Sequence, residues 1–351
     1  MKKERQEGIE LLRIFSMLCI IGGHFLLFTN MTSNVVQFSG NYYLIWFLYA
    51  INFVGTNCFI LISGYFYREV TFFWKKLGRT WGTIFFYSFG IAIILMIVGL
   101  KSYSMLDLIK AATPFMNRQY WFMTDYLGLY LFSPFINLLI EHMSEKQHKN
   151  LVIISIVVFS VLPSLWIGGG LDASRGYSVM WFTVLYIVGA YIRRYGLPDS
   201  KISWGGLYVI SIVGTGCSKI GIAYIYSIIF HSTTEFDSVL YCNNSPLMLL
   251  AAVSLLMLFK DLRIGNGVLK RTILTIATTV MGIYLIHMHP GLADVFWGYM
   301  EQNVNANDFT VWILYFVIIL AVFFFCSMIE FLRIKTVCFA KGKITYTKVE
   351  K

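Results

Sequence analysis

The sequence predicts an all-α integral membrane protein, a bundle of about ten transmembrane helices with both termini in the cytoplasm. Three observations carry that expectation. Of 351 residues, 58% are hydrophobic and only 13% are charged, against roughly half and a quarter in soluble domains. The apolar residues gather in runs of about 20, the length that crosses a hydrocarbon core of roughly 30 Å. The basic residues, which give a net charge of +10, lie mostly between those runs and mostly on one side. A soluble enzyme, a disordered chain and a disulfide-rich secreted module are excluded, because so much apolar surface exceeds what a soluble core hides.

The runs fall at approximately 9–28, 42–66, 80–99, 120–140, 150–168, 177–194, 204–230, 244–260, 272–289 and 310–332. The first contains Arg13 and His24 and lacks a small-residue cleavage site, so it reads as a retained helix and not a signal peptide. The seventh is interrupted by Gly214, Gly216, Lys219 and Gly221, where a kink or tilt is expected. Splitting that run would reverse the side of everything after it, and charge decides against the split. With the N-terminus inside, the outer loops hold only Lys101, Lys110, Arg118 and Arg175. The inner segments hold Lys2, Lys3, Arg5, Arg68, Lys75, Lys76, Arg79, Arg193, Arg194, Lys260, Arg263, Lys270 and Arg271, with others. That is the positive-inside pattern. The expectation is one transmembrane domain over 1–351, set in a lipid bilayer, with no nucleic-acid partner. The six cysteines show no C-x-x-C spacing and the histidines no zinc-motif spacing, so neither a disulfide framework nor a metal is expected.

Ionisable residues inside apolar runs are costly and mark function or a buried pair. Arg13 and His24 share one face of the first helix, about three turns or roughly 16 Å apart along its axis. Glu10, one turn before Arg13, is placed to hold its guanidinium. An arginine fork suits a phosphate, and a neutral imidazole accepts a proton from a hydroxyl. The pair therefore fits a phosphate-bearing donor on the cytoplasmic side with proton transfer deeper in the bundle. The plainer reading is a snorkelling arginine and a packed core histidine. The segment carrying Arg68, Lys75, Lys76 and Arg79 reads as a loop able to receive donor phosphates, or simply as inside retention. Ser63-Gly64 ends the second run, where small residues also serve close helix approach. Asp125, with Trp121 one turn earlier, is placed to orient a polar substrate near the outer end of the fourth run. His287 is a second intramembrane histidine, with His289 beside it, and Lys219 is a buried cation with no evident role.

These residues resemble the acyltransferase-3 family of bacterial membrane acyltransferases. The most specific element is an arginine, ten residues and a histidine on the first helix, here Arg13 and His24, preceded by an acid at Glu10. The Phe-rich Ser-Gly motif is matched at Phe59, Ser63 and Gly64, and the basic stretch after it at Lys75, Lys76 and Arg79. Tyr120 to Tyr130 with Ser133-Pro134-Phe135, and Gly282 to His287, look like the stand-alone polysaccharide-modifying branch. The resemblance implies an O-acetyltransferase that takes acetyl, or another acyl group, from cytoplasmic acyl-CoA. The acceptor implied is a hydroxyl of a cell-surface polysaccharide or of its lipid-linked sugar precursor. Taken with the residue reading above, catalysis is expected from His24 with Arg13 and Glu10, donor binding from Arg13, Arg68, Lys75, Lys76 and Arg79, and acceptor binding from Ser63, Trp121, Asp125 and His287. His24 would serve as general base or carry the acyl group covalently. On physical grounds alone, a transporter or flippase for a small solute or lipid-linked saccharide fits ten helices with a few buried charges.

Overall fold

The computed structural model describes residues 6–67, 74–165, 173–198, 203–231 and 240–340, apart from the side chains of Lys75 and Lys76. Among the described residues the chain is all-helical, without a strand. In chain order the helices are α1 (Glu7–Phe28), the single turn α2 (Met31–Asn34), α3 (Gly40–Phe53), α4 (Gly55–Tyr65), α5 (Trp74–Ile97), α6 (Met105–Ala112), α7 (Trp121–His142) and α8 (Glu145–Ile156). A π turn at Val157–Val161 leads into α9 (Leu162–Leu165). There follow α10 (Val179–Tyr195), α11 (Trp204–Phe230), α12 (Pro246–Lys260), α13 (Val268–Ile276), α14 (Val280–His287), α15 (Pro290–Asn303) and α16 (Val311–Ala340).

Each of the ten apolar runs meets a helix or a pair of helices. Seven stretches are long and apolar enough to cross a membrane, and the bent pair α13–α14 raises the number to eight. Helices α10 and α12, of 17 and 15 residues, are shorter than a crossing needs by itself. Helix length thus supports seven to eight crossings where the sequence predicts about ten. Large apolar side chains on the outer faces of α5, α11 and α16, among them Phe86, Ile229 and Phe325, are exposed, as a lipid-facing surface requires.

The seventh run is one unbroken helix of 27 residues, α11, as the unsplit reading expects. One expectation changes: helix α5 begins at Trp74, so Lys75, Lys76 and Arg79 stand on its first turns and not in a loop. Lys, Leu and Arg are good helix formers, and their charged heads can snorkel from a helix end, which lets the helix start ahead of the apolar run.

Breaks in the helices are repaired locally, because in hydrocarbon each unmet backbone group costs several kcal/mol. Pro134 inside α7 offers no N–H to the Tyr130 carbonyl, and Ser133 Oγ donates to that oxygen at 2.8 Å instead. Pro163 follows the π turn, and the Phe159 carbonyl one turn earlier accepts from Asn244 Nδ2 at 2.8 Å. Between α13 and α14 the axis bends by 44°. There Thr278 and Thr279 donate back to the Thr275 and Ile276 carbonyls at 2.7 and 2.8 Å, and Thr279 Oγ1 also meets Ser327 Oγ of α16 at 2.8 Å. The bend is thereby fastened to α16.

α1 lies at the centre, packed on α3, α4, α12, α13, α14 and α16. Glycines set its closest approaches. A Cβ at Gly22 would stand 2.6 Å from the Tyr315 hydroxyl and 2.8 Å from Asn52 Oδ1. That space holds a buried hydrogen bond from Asn52 Nδ2 to Tyr315 Oη at 2.6 Å, which ties α3 to α16 behind α1. Replacing Gly22 with alanine is expected to break this bond and cost about 1–3 kcal/mol, read as an earlier unfolding transition in detergent.

Candidate functional site

The two ends of α1 carry two polar clusters. At the N-terminal end Arg13 Nη1 donates to Glu10 Oε1 at 2.7 Å, with the carboxylate side chain only 5% exposed. The i,i+3 spacing that suggested the pair is what lets the two side chains meet. The Arg13 guanidinium lies 5.8 Å from the Phe66 ring, just past the end of α4. Ser63 stands one turn before Phe66, so the Ser-Gly motif reaches the Arg13 end of the bundle. Its hydroxyl donates to the Phe59 carbonyl at 2.9 Å. Next to Phe66, Tyr65 takes a hydrogen bond from Arg193 at 3.2 Å, and the same guanidinium stacks over its ring. Arg193, which is exposed, brings a second cation to this end beside the partly buried Arg13.

Three turns away, His24 meets a partner that no local spacing indicates. His24 Nδ1 and His287 Nε2 are 3.0 Å apart. His287 is the last residue of α14, and its Nδ1 lies 2.6 Å from the Ile283 carbonyl. His287 is buried while His24 keeps partial exposure. Phe28 covers one side of His24, with ring centroids 5.3 Å apart. The 44° bend before α14 aims this short helix so that its last residue reaches α1.

His289, two residues on, has a different task. Its Nε2 donates to the Ser88 carbonyl at 2.9 Å and its Nδ1 accepts from the Gly291 amide at 3.2 Å, so it caps α15. Both ring nitrogens are used by the backbone, which makes it a structural residue.

Asp125 and Trp121 sit together on the first turns of α7. Asp125 is buried and accepts from Arg118 at 2.8 Å, and the Trp121 ring packs on Tyr177 at 4.6 Å. The Trp121 ring connects to the histidines through aromatic rings, with Phe122 5.9 Å from Trp121 and 5.7 Å from Tyr284, and Tyr284 6.0 Å from His287. Arg79 is exposed on α5, and among the described residues no hydrogen bond or ion pair joins it to Arg13. Arg68 and the side chains of Lys75 and Lys76 lie outside the described residues. Lys219, buried in α11, places its ammonium 4.3 Å from the Trp46 ring centroid, a contact that eases an enclosed cation.

Sequence reasoning passed over one cluster. Glu330, in the second half of α16, is held by Arg333 through Nε–Oε2 and Nη2–Oε1 contacts of 2.6 and 2.7 Å, and by the Tyr87 hydroxyl of α5 at 2.6 Å. The signal was available as a carboxylate inside the last apolar run with an arginine three residues on. Glu7, similarly, pairs with Lys270 across α1 and α13.

A helical bundle with seven to eight candidate crossings and a polar pair toward each end of its central helix defines a multi-pass membrane protein. The chain belongs to the acyltransferase-3 family: the family model for an acyltransferase domain matches residues 6–330, nearly its whole length. No curated protein and no solved structure matches the chain.

Proposed function

We propose that the protein is a membrane O-acyltransferase of a bacterial cytoplasmic membrane, moving acetyl from cytoplasmic acetyl-CoA to a hydroxyl of a cell-surface polysaccharide or its lipid-linked sugar precursor. The observation that carries this reading is the placement of His24, paired with His287 and partly exposed, on the helix whose other end bears Arg13 and Glu10. In this reading the N-terminus and the Arg13 end face the cytoplasm, α10 and α12 complete ten crossings, and both termini lie inside.

Glu10 takes Arg13 Nη1, and among the described residues no hydrogen bond uses Nε or Nη2. That edge matches two phosphate oxygens of CoA, with Arg79 and its basic neighbours as further cations. The phosphopantetheine arm then spans the roughly 16 Å to His24. The acceptor oxygen attacks the thioester carbonyl while His24 takes the hydroxyl proton. The C–S bond breaks, and CoA leaves as a thiolate that is then protonated. Asp125, Trp121 and Ser63 are the acceptor-side candidates, while both ring nitrogens of His287 are already engaged, by His24 and the Ile283 carbonyl.

Membrane vesicles given acetyl-labelled acetyl-CoA are expected to place label in a glycan or glycolipid fraction, and His24→Ala to lower this to background. Label transfer unchanged in His24→Ala, or none with either protein, overturns the reading. Arg13→Lys keeps the charge but loses the fork. It is expected to raise KM for acetyl-CoA by roughly ten- to a hundredfold, the worth of a charge-assisted pair, with kcat less affected.

A further inference from the structure

His287 does more than lie next to His24, because its own hydrogen bonds decide where the protons sit. The Ile283 carbonyl can only accept, so the His287 Nδ1 facing it at 2.6 Å carries the hydrogen. A neutral imidazole has one N–H, which leaves His287 Nε2 as a lone pair. The His24 Nδ1 that faces this lone pair at 3.0 Å must then donate. With its hydrogen committed at Nδ1, neutral His24 presents its lone pair at Nε2, the nitrogen on the far edge of the ring from His287. We infer that His287 is the positioning residue of the reaction, fixing the tautomer and ring orientation of His24 so that Nε2 is the atom that takes the acceptor's proton.

The surroundings hold this arrangement. The acceptor that sets His287 is the carbonyl of its own helix one turn back, so the ring is oriented by backbone that no side-chain rotation can remove. Trp297 Nε1 donates to the His287 carbonyl at 3.4 Å, fixing the helix end. The Tyr284 ring stands edge-on to His287 at 87°. During transfer the acceptor proton joins Nε2, and His287 Nε2 keeps its hydrogen bond to the His24 Nδ1–H. His287 itself neither gains nor loses a proton.

This role rests on the acyl-transfer reading of His24, but its test has an arm that does not. In liposomes containing the protein with ¹⁵N-labelled histidine, solid-state NMR is expected to show His24 protonated at Nδ1 and bare at Nε2, with His24→Ala identifying the signals. His287→Leu is expected to lose this tautomer, and His287→Gln, whose Oε1 still accepts from Nδ1–H, to keep it. In acetyl transfer, His287→Leu should lower kcat by roughly 10²–10⁴-fold, the range of a misplaced general base, with KM for acetyl-CoA little changed. His287→Gln should recover most of that loss. Wild-type His24 protonated at Nε2, or a folded His287→Leu protein with unchanged kcat, overturns the inference. Absence of turnover in the wild type with the stated tautomer present overturns instead the acyl-transfer reading.

Discussion

Replacing Arg333 with alanine is expected to destabilise the protein by about 3–5 kcal/mol, the cost of breaking a buried ion pair from one side. The Glu330 side chain is 4% exposed, and Gly282 of α14 leaves it so little room that a Cβ there would stand 2.4 Å from Glu330 Cγ. The carboxylate cannot turn toward water. Without Arg333 it keeps, among the described residues, only the Tyr87 hydroxyl as a donor. The reverse change is milder. Glu330→Ala frees a guanidinium on a side chain that is 19% exposed, and a long stem can carry that charge outward. Tyr87→Phe removes one hydrogen bond to a charged acceptor and should cost about 1.5–3 kcal/mol. Reversible unfolding in mixed micelles measures all three, and the Arg333–Glu330 double change should cost much less than the sum. Equal costs for the two single alanine changes would show that Glu330 is not confined as described.

How much of this was readable beforehand follows from sequence distance. Glu10, Arg13 and His24 lie on one helix, so 3.6 residues per turn placed them on one face without any knowledge of the fold. The ends of most helices were likewise legible, because apolar runs of crossing length leave few alternatives. The His24–His287 contact joins α1 to α14 across most of the chain and depends on a 44° bend at Ala-Thr-Thr, where three small or β-branched residues say nothing about direction. Pairings of that kind are set by packing. The number of crossings was blurred for a related reason: α10 and α12 are largely enclosed by other helices, so their apolar residues meet protein as well as lipid and the runs are short. The Ser-Gly motif of α4 was the most ambiguous, since close packing and substrate binding favour the same small residues.

That ambiguity can be resolved, because the two residues now make different predictions. A Cβ at Gly64 would stand 2.1 Å from the Tyr186 carbonyl oxygen, and one at Gly189 would stand 2.3 Å from the Leu61 carbonyl oxygen. Both obstacles are backbone, which no rotamer change moves aside, so α4 and α10 cross at a distance only glycine permits. Gly64→Ala and Gly189→Ala are each expected to cost about 1–3 kcal/mol. The double change should cost less than the sum, since the first alanine already forces the helices apart. Displacing α4 also disturbs the Phe66–Arg13 contact, so on the proposed acyl-transfer reading transfer should fall with stability. Ser63→Ala removes a hydroxyl whose hydrogen goes to its own helix at Phe59 and should leave stability within about 0.5 kcal/mol. If Ser63→Ala then retains transfer, the motif is a packing device that sets the Arg13 end. If transfer is lost at unchanged stability, the serine hydroxyl acts on the acceptor or donor directly, and the glycine beside it explains only why the helix can bring it there.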